Sequence, residues 1–278
     1  MSYKIVCDSC TDLSNQQKND VNFCTVPLML HVDDRDFIDD TTFNQLDFLD
    51  AMKKSVECPK SSCPSPDAFM QHFESADDIY VVTLSSQLSG SYNSACLAKE
   101  LYLEEHGKKN IAVFDSKSAS VGQTLIAMKI DELVKQGKSF DEVVKEVNTF
   151  RDDLGTKFVL ESLDNLRKNG RLSSLKAIIA NALNIKPIMG ATKEGTIMKV
   201  DQARGMKKAL SLMAEIIANE VIDAEQKILG IAHCNCLDRA EYIKAEILKY
   251  KKFKDVLIVD TAGVSSLYAS DGGIVVCY

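Results

Sequence analysis

The run from Ile79 to Ala95 constrains this chain more than any other. Ile79-Tyr-Val-Val-Thr-Leu84 is a β-branched apolar stretch that reads as a buried strand, and Asn93 to Tyr102 places Leu97 and Leu101 at helical spacing. Between them lies Ser85-Ser-Gln-Leu-Ser-Gly-Ser91, a loop of small hydroxyl residues. A strand that empties through such a loop into a helix presents free N–H groups and hydroxyls at a positive helix end, which suits a carboxylate or a phosphate. A plainer role stands beside that one: Ser89 or Ser91 as the N-cap of the helix.

The rest of the chain repeats this alternation. Tyr3-Lys-Ile-Val-Cys7 is strand-like and delivers the polar cluster Asp8-Ser-Cys-Thr-Asp-Leu13 to its carboxyl end, where open α/β sheets place ligands. A turn and helix cap would use the same residues. Asn22 to Leu30 is a second strand, and the acid-rich His31 to Asp40 reads as a solvated hairpin, because its acids lack the spacing and glycine of a calcium loop. Thr42 to Glu57 is an amphipathic helix with Phe43, Leu46, Leu49, Met52 and Val56 on one stripe. Cys58 to Pro66 holds three of the five prolines, so it is a stiff connector displaying serines, and Ser65 caps a helix that starts at Pro66. Lys109 to Ser116 is another strand ending in Asp-Ser, and Ser139 and Glu142 have capping-box spacing.

Farther on, Lys157 to Leu160, Lys186 to Gly190, Gly195 to Val200, Ile228 to Ala232 and Val256 to Val259 read as strands among helices. Leu175 to Ile185 carries one charge, Lys176, and is unusually apolar; core burial, a ligand lid and a membrane-touching helix all fit it. The fold class expected is α/β with two lobes, residues 1–153 and 154–278, each a mostly parallel sheet flanked by helices.

Composition narrows the function. The chain has 278 residues, 45% of them hydrophobic, enough for two halves with their own cores. Its formal charge is -7, with no basic run and no Trp, which argues against nucleic acid as a partner. The start of the sequence has no charged leader with an apolar core, and no apolar run reaches the ~18 residues of a membrane span, so a soluble, cytoplasmic protein is expected. A monomer is the default.

Nine cysteines in a chain of this kind are expected to be free thiols. Cys7 and Cys10 have C-x-x-C spacing, and Cys234 and Cys236 would share a strand face, but a zinc site there needs two more ligands. Buried structural thiols are favoured over a redox or metal protein. His31, His72, His106 and His233 lie in no local nucleophile motif, so no Ser-His-Asp arrangement and no catalytic residue is assigned. A phosphate-handling enzyme built on Ser89-Gly90-Ser91 is the other alternative, against which the chain has no G-x-x-x-x-G-K-[ST] loop.

Several of these landmarks, in order, carry a resemblance. Asp8 to Leu13, Pro59-Lys-Ser-Ser-Cys-Pro-Ser65, Leu84-Ser-Ser-Gln-Leu-Ser-Gly-Ser-Tyr92, Phe114-Asp-Ser116, Leu166-Arg-Lys-Asn-Gly-Arg171 and Lys186-Pro-Ile188 resemble the DegV family. These are bacterial fatty acid-binding proteins that act as the lipid-carrier subunit of fatty acid kinase. The resemblance runs nearly the whole chain. It implies two α/β lobes around an apolar tunnel for a long-chain fatty acid of about C14 to C18, no cofactor, and a carboxylate held at the lobe junction. It implies head-group donors at Ser61 or Ser62 and at Ser89, with Gly90 and Ser91 in the same loop. It further implies a separate kinase subunit that phosphorylates the bound carboxylate, with Arg171 and Arg204 on the partner or phosphate side. Contact with a membrane surface would be transient. The chain departs from the family where Ala269-Ser-Asp-Gly-Gly273 replaces a histidine followed by Gly-Pro-Gly. Asp271 enters there, and a carboxylate beside a bound carboxylate repels it or raises a pKa.

Overall fold

The computed structural model describes residues 2–172 and 184–278. All but the end of the apolar stretch Leu175 to Ile185 lies outside them.

The first sheet is formed by β1 (Tyr3–Asp8), β2 (Phe23–Val26), β6 (Asp78–Thr83) and β7 (Asn110–Asp115). Its order is β2-β1-β6-β7 and every pairing is parallel, as the strand–helix alternation predicts. Because both faces are covered, β6 is buried at every residue, which is why it reads as an unbroken apolar run rather than an alternating one. One face packs on α5 (Val121–Lys135) and α6 (Phe140–Asp152) through Ile5, Tyr80, Ile126, Ile130 and Val143. The other packs on α3 (Pro66–Met70) and α4 (Ser91–His106) through Phe69, Phe73, Ile79 and Ala95. A one-turn helix, α1 (Asn15–Lys18), follows the first strand with a Ser14–Gln17 capping box.

A small sheet in the order β4-β3-β5 joins β3 (Met29–Val32), β4 (Arg35–Ile38) and β5 (Lys60–Ser62). The acid-rich segment is therefore a hairpin, as its composition predicts. The proline connector differs from expectation, since Lys60 to Ser62 pair with β3. Helix α2 (Gln45–Lys54) buries Phe48 and Ala51 beneath this sheet and turns Leu49 toward Leu160 and Met189 of the second half.

The second sheet departs further. It contains β8 (Thr156–Val159), β9 (Ile185–Ala191), β10 (Ile197–Arg204), β11 (Ile228–His233), β12 (Asp255–Asp260) and β13 (Ile274–Cys277), in the order β10-β9-β8-β13-β11-β12. Only β11 and β12 pair in parallel. The mostly parallel arrangement expected of this half is corrected to a mostly antiparallel one: β9 and β10 form a hairpin, and β13 returns to insert between β8 and β11. Helices α8 (Met206–Glu220) and α9 (Leu237–Leu248) cover one face through Leu210, Met213, Ile217 and Ile243. Helix α5 covers the other, joining the two sheets at Val121, Leu125, Ala232 and Cys277. Short helices α7 (Asp164–Lys168) and α10 (Gly263–Ala269) complete the junction. None of the described helices is long and apolar enough to cross a membrane.

Candidate functional site

The serine loop lies where parallel-sheet topology puts ligands. Strand β1 connects outward to β2, whereas β6 lies on its other side, so the crevice between the carboxyl ends of β1 and β6 is a topological switch point. The loop is pinned at both margins. The Leu84 N–H and the Ser91 hydroxyl donate to one oxygen of Asp8 at 2.8 and 2.6 Å, and the Ser86 N–H donates to Asp115 at 3.1 Å. Burial pushes the Asp8 carboxyl above its ordinary range, against the opposing pull of these hydrogen bonds.

Ser89 is half-buried, and its Oγ accepts the Ser91 N–H at 3.2 Å. At the start of α4, the Tyr92 and Asn93 N–H groups have no protein acceptor among the described residues. Gly90 faces the proline connector, where a Cβ would lie 3.2 Å from Cys63 Sγ, and the Ser94 hydroxyl donates to the Pro64 carbonyl at 2.6 Å. The two serine-bearing loops are therefore in contact. Ser91 itself is fully buried and turned inward to Asp8.

Strand alternation separates Ser61 from Ser62. In β5, Ser61 sits opposite the buried Leu30, whereas Ser62 sits opposite Met29. Ser61 Oγ lies 3.1 Å from Tyr268 Oη on α10. Ser62 is exposed on the other face, 3.3 Å from His31 Nε2, and His31 Nδ1 lies 2.6 Å from Asp36. A Ser-His-Asp constellation that the sequence did not disclose thus exists. His31 and Asp36 are 39% and 67% exposed, however, so water screens the pair and no enclosed seat for a substrate surrounds it.

Arg171 completes the inner cluster. Its Nε donates to the Leu88 carbonyl at 3.1 Å, and its guanidinium lies 5.7 Å from the Tyr268 ring centre. Leu88, Arg171 and Tyr268 line a cavity between the two sheets whose walls also include Leu84, Phe158, Ile197, Ser118 and Thr156; Ser61 is not in its lining and adjoins it through Tyr268. The hydroxyl residues of its wall turn their polar atoms into the wall: Ser118 and Thr156 bond each other at 2.8 Å, and Ser120 donates to Asp12. The interior surface is consequently almost wholly apolar. An apolar pocket with a tyrosine hydroxyl and a guanidinium in its lining, and a serine hydroxyl bonded to that tyrosine, can hold an amphipathic anion, its tail against the walls and its charge beside Arg171 and Tyr268.

Other sequence-selected residues lie elsewhere. Arg204 is exposed on the edge strand β10 and pairs in register with Ile185; among the described residues no hydrogen bond or ion pair reaches its side chain. Asp271 is exposed and accepts from Asn235 Nδ2 at 3.1 Å in an outer groove beside Leu46 and Asp50, so it is not in the cavity wall. Cys7 and Cys10 are buried thiols with pKa raised by burial, which disfavours thiolate chemistry. Cys234 and Cys236 are pushed up to about 11 and about 12 for the same reason. No group of three or more metal-ligating residues occurs among the described residues. Tyr268 was missed in the sequence; its one signal is its position immediately before the altered Ala269–Gly273 segment.

The fold and the apolar cavity between its two larger sheets define a small-molecule-binding protein of the α/β class. The chain belongs to the DegV family, whose model matches residues 2–278. A DegV domain-containing protein of Streptococcus pneumoniae is 35% identical over 280 residues, covering 100% of this chain and 99% of that one. A DegV family protein from Ruminococcus gnavus, refined with vaccenic acid, superposes with a TM-score of 0.97 at 49% identity, covering 100% of this chain and 99% of that one. The Streptococcus pneumoniae Fatty Acid Kinase (Fak) B3 protein, loaded with linoleic acid, superposes at 0.91 with 35% identity, over 100% and 99% of the two chains.

Proposed function

We propose that this protein is a carrier that encloses one long-chain fatty acid of about C14 to C18, between lobes formed by residues 1–153 and 154–278. The observation that carries this reading is the apolar cavity whose lining holds Tyr268 and Arg171 side by side, with Ser61 bonded to the Tyr268 hydroxyl. The acyl tail is sheltered from water by the walls, a gain of ~0.8 kcal/mol per buried methylene. The carboxylate is met by the Ser61, Ser89 and Tyr268 hydroxyls, the α4 N–H groups and Arg171, so the charge is both hydrogen-bonded and paired. The fatty acids in the Ruminococcus and Streptococcus structures support the ligand class.

The Fatty Acid Kinase name of the Streptococcus relative supports a role in which the carrier, a cytoplasmic monomer, presents the carboxylate to a separate kinase subunit. The protein itself then supplies binding and orientation. Asp8 lies directly behind the serine loop, and a buried acid there opposes a phosphate seat, so the loop serves a carboxylate better than a nucleotide. Titration of delipidated protein with palmitate and with hexadecanol tests the reading. Saturable one-to-one palmitate binding at least tenfold tighter than the alcohol is expected. Absence of saturable binding to either overturns it.

A further inference from the structure

The acids of the motif Asp8-Ser-Cys-Thr-Asp12 and the last buried acid of the hairpin segment, Asp39, are not among the groups that meet the ligand in the binding site just described. Yet Asp8, Asp12 and Asp39 are 0%, 1% and 2% exposed. Among the described residues no Lys, Arg or His forms an ion pair with any of them. Their partners are N–H and O–H donors from three segments, the serine loop, the start of α5 and the entry to α10. Asp8 takes the Leu84 N–H and the Ser91 hydroxyl, which bracket the serine loop, and Gln123 Nε2 at 2.8 Å. Asp12 takes the Ala262 N–H at 2.6 Å and the Ser120 hydroxyl at 2.5 Å. Asp39 takes the Gly263 and Val264 N–H groups at 2.6 and 2.9 Å. Residues 262–264 are the entry to α10, the helix that carries Tyr268. Gly263 fits that grip because a Cβ there would sit 2.7 Å from Asp39 Oδ1.

We propose that Asp8, Asp12 and Asp39 are positioning residues that form a cation-free carboxylate latch, holding the Ser89 loop and the Tyr268 helix in register so that both meet one head group. A latch of this composition responds to protons, because the hydrogen bonds that keep it are bought against the burial of unpaired charge. Burial is the main cause that lifts Asp12 to about 7 and Asp39 to about 6, opposed in both by their N–H and hydroxyl donors. The titratable groups facing the three acids are the Cys7 and Cys10 thiols, and the acids face one another, Asp39 toward both Asp8 and Asp12. None supplies positive charge. Groups whose pKa is higher in the latched state stabilise it fully only below the ordinary carboxylate range, and that contribution is lost as pH rises through about 6 and then about 7. The latch is therefore tightest on the acid side of neutrality and loosens toward pH 8.

The proposal rests on the carrier reading for its ligand, so its test has a part that needs none. Amide hydrogen-exchange protection factors at Ala262, Gly263 and Val264, corrected for intrinsic rates, are measured on the full chain at pH 5.5 and 8.0. A fall of at least tenfold at pH 8.0, with β6 amides unchanged, is expected. Equal protection at the two pH values overturns the latch. In parallel, affinity for hexadecanol, which does not titrate, is measured for wild type, Asp39→Asn and Asp12→Asn over the same range. Wild-type affinity is expected to weaken severalfold as pH rises, and each Asn variant that folds to flatten the profile. An unchanged slope in a folded variant contradicts the proposal. If no lipid binds, the carrier reading fails and the exchange measurement alone decides the latch.

Discussion

Ser61 Oγ and Tyr268 Oη meet at 3.1 Å although 207 residues separate them. The contact joins the edge strand β5 to helix α10 beside the guanidinium of Arg171, and it ties a half-buried serine to a near-terminal tyrosine that lines the cavity. A hydroxyl pair of this kind can turn together toward an incoming oxygen, each O–H able to donate.

Ser61→Ala and Tyr268→Phe each remove one donor from that pair. Each is expected to weaken palmitate binding about 3- to 10-fold, in line with the ~1 kcal/mol net worth of a hydrogen bond. The double variant should cost less than the sum, because the two groups act as a unit. Fluorescence titration of all four proteins measures the coupling.

Ser62→Ala serves as the contrast. Ser62 faces outward to His31, so its loss should change palmitate affinity less than twofold and leave the melting temperature within about a degree, as surface changes usually do. A tenfold loss would move the head-group contact to the outer face of β5.

Arg171→Ala removes the cation beside Tyr268. Charge-assisted hydrogen bonds contribute ~1.5–3 kcal/mol, so affinity for palmitate is expected to fall about 10- to 100-fold. Hexadecanol, which carries no charge, should lose little. Equal losses for acid and alcohol would assign Arg171 to wall packing alone.

The thiols supply a fourth check. Cys63 is the exposed cysteine beside Gly90, whereas Cys7, Cys10, Cys234, Cys236 and Cys277 are buried. One thiol per chain should react quickly with a disulfide reagent under native conditions, and peptide mapping should find it at Cys63. The five buried thiols should react only in denaturant. Fast native reaction at Cys7 and Cys10 would revive the redox reading.

Local signals in the sequence carried over well. The Ile79 to Leu84 run became β6, Ser65 accepts the Ala68 N–H as a cap, and the Ser139–Glu142 capping box is formed. Each is fixed by residues a few positions apart. The second sheet was not legible, because the antiparallel return of β13 between β8 and β11 includes a pairing with β8 across more than a hundred residues. Ser61 and Ser62 could not be told apart until register with β3 set Ser61 on the face of Leu30. The grip of Asp12 and Asp39 on the entry to α10 was not legible either, since Ala262, Gly263 and Val264 offer only backbone N–H groups, which leave no mark on a sequence.

The most direct measurement is native mass spectrometry of freshly purified protein, repeated after denaturation and organic extraction. The carrier account predicts one C14 to C18 fatty acid per chain, released on denaturation and present at reduced occupancy in the Arg171→Ala protein. An empty protein that takes up no added palmitate would contradict it.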